Sequence, residues 1–382
     1  MTPREAYIVL NRIEGIGPRR LRSLCDALGS PENVLAADYP ALLAADGIGE
    51  KVASAIVAAR GTIDPAEEEE RAAALGARIV TPLDPGYPEP LRTIHDPPLC
   101  LYVRGTLLPE DARAIAIVGT RQATHYGISQ ADRFAYQLAK TGFAVVSGLA
   151  RGIDTAAHRG ALKAGGRTLA VLGGALDRFY PPENRALGDE IAANGAVLSE
   201  FSLGLSPNRV TFPYRNRIVS GLSKAVFVVE AGLNSGAMQT AALALEQDRA
   251  LMALPGRIDT DGSRGPNRLI QQGARLVQDI RDILEEFEFL FPPSAAADAE
   301  RALDPRAAAP LPPDEAAILR ALWQTPERPI DEVIRETGLP ASRVTVLAMQ
   351  MEMKRLVKML PGRRLALAAD IGKLVPPPPA TP

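Results

Sequence analysis

The stretch "VVSGLARGIDTAAHRGAL", Val145–Leu162, decides how the chain is read. It opens on apolar, β-branched residues, breaks at Gly148 and Gly152, and continues as small residues at helical spacing. A strand, a tight turn and a helix are the expectation. The same stretch gathers Arg151, Asp154, His158 and Arg159. Asp154 and His158 stand four residues apart, so a helix puts them on one face. Two uses follow: a histidine base oriented by a carboxylate, or a loop that holds an anion at a helix N-terminus. No nucleophile motif such as GxSxG accompanies the pair, and the second use is expected. Asp154 then caps the helix or pairs with Arg151, and His158 packs.

The pattern recurs on both sides. Short apolar runs stand at 114–119, 143–148, 168–174, 196–200, 225–232 and 250–256, several ending in glycine, with helix-length gaps between them. Continuous apolar strands alternating with helices imply a parallel sheet covered on both faces. The fold class is therefore α/β, with an extended Rossmann-like doubly wound core over 63–290. Its ligand site belongs at the carboxyl ends of the strands.

Four strand ends carry polar groups. "IVGTRQATHYG" supplies Gly119 and Arg121, and the opening stretch supplies Ser147, Gly148, Arg151 and Gly152. "TFPYRNRIVSGLSKA" supplies Phe212, Arg215, Asn216, Arg217 and Lys224; "VVEAGLNSGAMQTA" supplies Asn234 and Ser235. Glycines permit close backbone approach, and arginine or free N–H groups at helix starts attract anions. No GxxxxGK[ST] is present, and "GLARG" is a poor dinucleotide fingerprint. Neither a bound cofactor nor a metal is expected.

The flanks differ in kind. Residues 1–62 place Gly-Ile-Gly before an amphipathic helix twice, in "IEGIGPRRLRSL" and "ADGIGEKVASAI". Such hairpins either grip a DNA phosphate or merely turn a helical bundle. Residues 291–312 are rich in proline and alanine and read as a linker. Over 313–372 three helical patterns (Asp314–Gln324, Ile330–Thr337, Ser342–Leu356) precede two short strands, a winged-helix outline in which Ser342 is an N-cap. Its partner is left open between duplex DNA and protein. Residues 373–382 are expected to be a disordered tail.

Composition limits the function. The formal net charge is −2, so the chain is not globally basic. Charge is uneven, however: residues 113–281 hold 20 Lys/Arg against 13 Asp/Glu, and 201–229 hold four basic residues and no acidic one. A local patch of this kind can bind a polyanion. No apolar run approaches the ~20 residues of a membrane span. With two distant cysteines, Cys25 and Cys100, and no signal peptide, a cytoplasmic protein is expected.

In their order, "VGTR", "SGLARGIDTAAHRGAL", "AVLGGALDRFYPPENRAL", "FPYRNRIVSGLSKAVFVVEAGLNSGAMQTA" and "PGRIDTDGSRGPNRLIQQGA" resemble the DNA-processing protein A family, DprA or Smf. The resemblance runs over nearly the whole chain. It implies a non-enzymatic core that binds single-stranded DNA, loads the RecA recombinase, forms a homodimer and serves natural transformation. On that reading Arg121, Arg151, Arg215, Arg217 and Lys224 contact phosphates, Asn216 meets a base or orders its loop, and Phe212 and Tyr214 offer stacking surfaces. "EAGLNSGAMQTA" also loosely resembles the glycine-rich loop of phosphoribohydrolases, which would make Glu230 catalytic on a nucleoside monophosphate. Asn234-Ser235 replaces the Gly-Thr of that pattern and its following glutamate is missing, which weighs against hydrolysis.

Overall fold

The computed structural model describes residues 1–287, 312–325, 327–353, 356–360 and 364–367. It divides into two compact units, Met1–Phe289 and Leu290–Pro382. The expected linker at 291–312, apart from Pro312, and the expected tail at 373–382 lie outside the described residues.

The first unit is built on a nine-stranded sheet. Its strands are β1 (Ala77–Val80), β2 (Leu101–Gly105), β3 (Ala114–Val118), β4 (Ala144–Ser147), β5 (Thr168–Val171), β6 (Ala196–Ser199), β7 (Ala225–Val228), β8 (Ala250–Ala253) and β9 (Arg275–Leu276). The spatial order is β1-β2-β6-β5-β4-β3-β7-β8-β9. Strands β3 to β9 pair in parallel, while β2 runs antiparallel to both β1 and β6 and extends the sheet beyond a Rossmann core. Each of β3 to β7 is buried along its whole length, because helices cover both faces. All six apolar runs singled out in the sequence became strands. The short β9 and the reversal at β2 had no sequence signal of their own.

The chain winds outward from β3 through β4, β5 and β6 on one side, then crosses to β7 on the other. Strand order reverses between β3 and β7, and the loops at their carboxyl ends diverge there. That divergence leaves a crevice.

Residues 3–59 form five short helices around a core that includes Leu10, Leu24, Leu42 and Ile56. The first is fixed by a reciprocal cap: Thr2 Oγ1 accepts from Glu5 N at 3.2 Å, and Thr2 N donates to Glu5 Oε2 at 2.7 Å. This helical domain is packed onto the sheet. Ile8 is buried in a cluster with Tyr102, Ala170 and Leu172. Arg4 pairs with Glu69 at 2.6 Å, and Asn11 donates to the Glu200 carbonyl at 3.1 Å.

The second unit contains helices Pro313–Gln324, Ile330–Thr337 and Ala341–Met353, with strands Glu327–Pro329, Val357–Leu360 and Arg364–Leu367. The two later strands form an antiparallel hairpin, and Glu327–Pro329 pairs with its second strand. This is the winged-helix arrangement, with Leu322, Val333, Leu347 and Leu365 in its core. One detail corrects the sequence reading. The third helix starts at Ala341 with Pro340 O accepting from the N–H groups of Arg343 and Val344, so Ser342 lies inside the first turn and is no N-cap.

Candidate nucleic-acid interface

The crevice at the β3/β7 divergence is a cavity of about 580 Å³. Gly119 and Arg121 enter it from the loop after β3, and Gly148 and Ala150 from the loop after β4. Helix Thr211–Gly221 contributes Phe212, Arg215 and Asn216, and Arg209 stands just before that helix. Ser235 and Gly236 begin helix Gly236–Glu246 at the far wall.

The opening stretch builds one side of the cavity. Strand β4 ends at Ser147, and helix Ile153–Lys163 follows after a turn in which Leu149 and Gly152 have φ of 55° and 77°. Positive φ favours glycine at 152, and a Cβ there would also lie 2.4 Å from Thr120 O. Asp154 closes the turn: its Oδ2 accepts from Gly148 N at 3.1 Å and Ala150 N at 3.3 Å. It neither caps the helix through the usual N-cap position nor pairs with Arg151, as the sequence suggested. Burial raises the Asp154 pKa, against the opposing pull of the Arg215 charge and these hydrogen bonds.

His158 is fully buried. The Thr168 hydroxyl donates to Val145 O at 2.7 Å, so its oxygen can only accept from His158 Nδ1, also at 2.7 Å. The Nδ1-protonated tautomer results, and Nε2 is left without a partner. Burial first, then the Arg215 charge, pushes the His158 pKa down to about 3. A neutral, enclosed imidazole of this kind is placed as a packing residue.

Arg215 forms the floor of the cavity. Its Nη1 donates to Gly148 O at 2.9 Å and also to Val171 O, and its Nε donates to Asn216 Oδ1 at 3.3 Å. Burial lowers its pKa to about 10, so it remains a cation at neutral pH. A Cβ on Gly148 would sit 2.5 Å from this guanidinium, so a larger residue there would have to displace the Arg215 side chain. Asn216 Nδ2 donates to Gly236 O at 3.2 Å and ties the floor to the far wall.

At that wall Ser235 is the N-cap residue of an 11-residue helix, yet its side chain makes no capping bond. Its buried Oγ has no protein partner. A hydroxyl free to donate thus stands beside the N–H groups of a helix start, an arrangement suited to an anion. On the rim, the Arg121 guanidinium lies 4.8 Å from the centre of the half-buried Phe212 ring. Arg121 and Arg209 are both exposed. Three arginines against one buried carboxylate make the cavity electropositive.

Several expected contacts lie elsewhere. Arg217 is 2 % exposed; its Nη2 is 2.6 Å from Glu200 Oε2, and its Nε lies 3.3 Å from Asp96 Oδ2 outside hydrogen-bond alignment. Helical periodicity explains this: two residues after Arg215, it points to the other side of the helix. Burial works against its charge but is outweighed by Glu200, Tyr214 and Asp96, which raise the pKa. Tyr214 accompanies it, with the Arg217 guanidinium 4.1 Å from its ring centre. Lys224 N donates to Ala114 O at the amino ends of β7 and β3, the edge opposite the cavity. The Ser147 hydroxyl donates to Ile117 O at 2.6 Å inside the sheet. Asn234 is exposed and outside the lining. Arg151 pairs with Glu183 and borders a narrow neighbouring cleft.

One arginine of the cavity lining was not singled out from the sequence. Arg209 precedes its helix by two positions and matches no helix-start pattern; only the acid-free composition of 201–229 hinted at it. Glu230 has a structural place. Its carboxylate accepts from Thr124 N at 2.9 Å and Thr124 Oγ1 at 2.5 Å, and it is 3 % exposed. It holds the start of helix His125–Lys140 and is absent from the cavity lining. Among the described residues no cluster of three metal-ligating side chains occurs, and no helix is long and apolar enough to cross a membrane.

Comparison with known proteins agrees with this architecture. Residues 78–288 match the family model of DNA recombination-mediator protein A, 302–363 the DprA winged helix domain, and 7–61 a SAM-like helix-hairpin-helix tandem. Protein Smf of Synechocystis sp. is 34% identical over 388 residues, covering 94% of this chain and 97% of its own. The X-ray structure of DNA processing protein A from Streptococcus pneumoniae superposes with a TM-score of 0.66 at 34% identity, covering 76% of this chain and 99% of that one. A structure of DNA processing protein A from Helicobacter pylori, described for its single-stranded DNA binding mode, gives a TM-score of 0.50 at 34% identity. It covers 55% of this chain and 95% of that chain.

Proposed function

The chain belongs to the DNA recombination-mediator protein A family, the DprA/Smf proteins, and we propose that it binds single-stranded DNA as a recombination mediator and performs no catalysis. The observation that carries this reading is the cavity between β3 and β7. It joins a buried cation, two exposed arginines, an unpartnered hydroxyl at a helix start and a half-exposed aromatic ring. Arginine forks grip phosphate oxygens in pairs, while Phe212 offers a face to a base. An unpaired strand presents both phosphate and base faces to such a site; a duplex hides its base faces.

Gly119, Arg121, Gly148, Arg209, Phe212, Arg215 and Ser235 are assigned the direct contacts. Gly152 and Asn216 keep the walls in place. Loading of RecA onto the bound strand, homodimer formation, and action in the cytoplasm during natural transformation complete the proposal; family membership supports them. The phosphoribohydrolase alternative loses support from Glu230, whose carboxylate is engaged by Thr124.

Fluorescence anisotropy of the full chain with labelled oligo-dT and with a duplex of equal length tests the reading. Single strands are expected to bind more tightly. Arg121→Ala and Arg209→Ala should each flatten the dependence of log K on log salt, by about 0.7 in slope for each phosphate no longer neutralised. Equal affinity for both probes, or unchanged binding in both variants, overturns it. Displacement of a single-strand-binding protein by RecA, with and without this chain, tests the loading step.

A further inference from the structure

The segment "ALDRFYPPENRAL", Ala175–Leu187, lies beside the cavity and contributes no residue to its lining. It carries an unassigned aromatic, Tyr180, and two unassigned arginines, Arg178 and Arg185. Tyr180 is 38 % exposed, and its ring centre lies 5.8 Å from that of Phe212, tilted by 59°. Arg151 stands over the other side of the pair, its guanidinium 5.8 Å from the Tyr180 ring centre. The series Arg121, Phe212, Tyr180, Arg151 is therefore a continuous run of cation and ring. A narrow cleft bordered by all four connects the cavity to Tyr180.

Beyond Tyr180 the run opens into a second pocket of about 280 Å³, lined by Arg178, Tyr180, Arg185 and Pro207 among others. Arg185 is exposed and has no acidic partner within ion-pair distance among the described residues. Arg178 has only its neighbour Asp177, at 3.8 Å, and that carboxylate already accepts from Gly204 N at 2.9 Å. Two cations against one lining carboxylate, Asp177, together with a ring face, suit one phosphate and one base. A free mononucleotide would need only one pocket. Two pockets joined by stacked rings suit a polymer whose phosphates and bases repeat.

We propose that this second pocket is a nucleotide subsite for the same single strand, with Tyr180 stacking a base and Arg185 and Arg178 holding its phosphate. The strand leaves the cavity over Phe212, crosses Tyr180 and continues toward the β5/β6 side. Arg151 exchanges Glu183 for a phosphate as the strand passes. This inference rests on the binding reading of the β3/β7 cavity.

The test is anisotropy with the full chain and oligo-dT of increasing length. Tyr180→Leu removes one stacking face and should weaken binding of a long oligo-dT by about five- to a hundred-fold, with Tyr180→Phe close to the parent. The double variant R178A/R185A should lower the salt slope by about 0.7 for each phosphate released. In both cases the loss should vanish for oligomers too short to reach from one pocket to the other. If these variants bind long oligo-dT like the parent while Arg121→Ala does not, the subsite is refuted and the cavity reading stands. If Arg121→Ala also binds normally, the cavity reading itself fails. Tyr180→Phe losing as much as Tyr180→Leu refutes stacking as the role of the ring.

Discussion

Arg217 Nη2 and Glu200 Oε2 lie 2.6 Å apart, with the two side chains only 2 % and 7 % exposed. A buried pair of this kind gives little net stability when intact, but it costs much to break, because one charge is left buried alone. Arg217→Ala is therefore expected to lose about 3–5 kcal/mol of folding stability. Its remaining folded fraction should bind single-stranded DNA almost normally. Denaturant unfolding beside anisotropy separates the two effects. Replacing both partners by apolar residues, R217M with E200L, should recover part of the lost stability; a pure DNA-contact role predicts normal stability with weak binding.

Lys224 tests the orientation of the site. It lies at the amino edge of the sheet, across from the cavity. Lys224 is part-buried, and its charge at that distance from a ligand is screened by salt. Lys224→Ala should keep single-strand affinity within about two-fold of the parent at physiological salt. A loss like that of Arg121→Ala would mean that the strand wraps the opposite edge.

Gly152→Ala should damage the cavity without touching its lining. The backbone there has φ of 77°, and an added Cβ would be 2.4 Å from a carbonyl oxygen. Strain of this kind costs about 1–3 kcal/mol. Lower stability together with weaker DNA binding is expected, because Gly148 and Ala150 move with the turn. Normal stability would mean the loop relaxes freely.

His158 makes stability depend on pH. Its folded pKa of about 3 lies below the value of about 6.5 expected when unfolded. Between those values the unfolded chain carries a proton that the folded chain excludes, so stability falls as pH falls. From pH 7 to pH 5 the group should account for about 2 kcal/mol of lost stability. In His158→Gln that contribution disappears, and the two proteins' stabilities should converge on acidification. Parallel pH profiles would refute the enclosed neutral imidazole.

Much of this was legible in the order of residues alone. The apolar runs ending in glycine announced the parallel strands, since a strand covered on both faces has no polar residue to interrupt it. Gly119, Gly148, Phe212, Arg215 and Ser235, all singled out from the sequence, line one cavity. What stayed hidden depends on direction and distance. Whether Arg215 or Arg217 points to the cavity is a matter of helix phase, set by a helix that starts at Thr211. The carboxylates that occupy Arg217 come from positions 96 and 200, a pairing that local sequence cannot reveal. Tyr180 needed the Phe212 ring beside it before its exposure meant anything.

The helical domain at the N-terminus has a consequence for dissecting the molecule. Ile8 fills a sheet cluster, Asn11 holds the backbone of Glu200, and a side chain at Gly17 would meet the Tyr214 hydroxyl 3.3 Å away. The first glycine hairpin is thus sealed against the helix that carries the arginines. Severing the chain near residue 62 would uncover apolar surface and loosen the support beneath Arg217. A trimmed core that failed to bind DNA would then report a collapsed foundation, and give no evidence that the helical domain touches the strand.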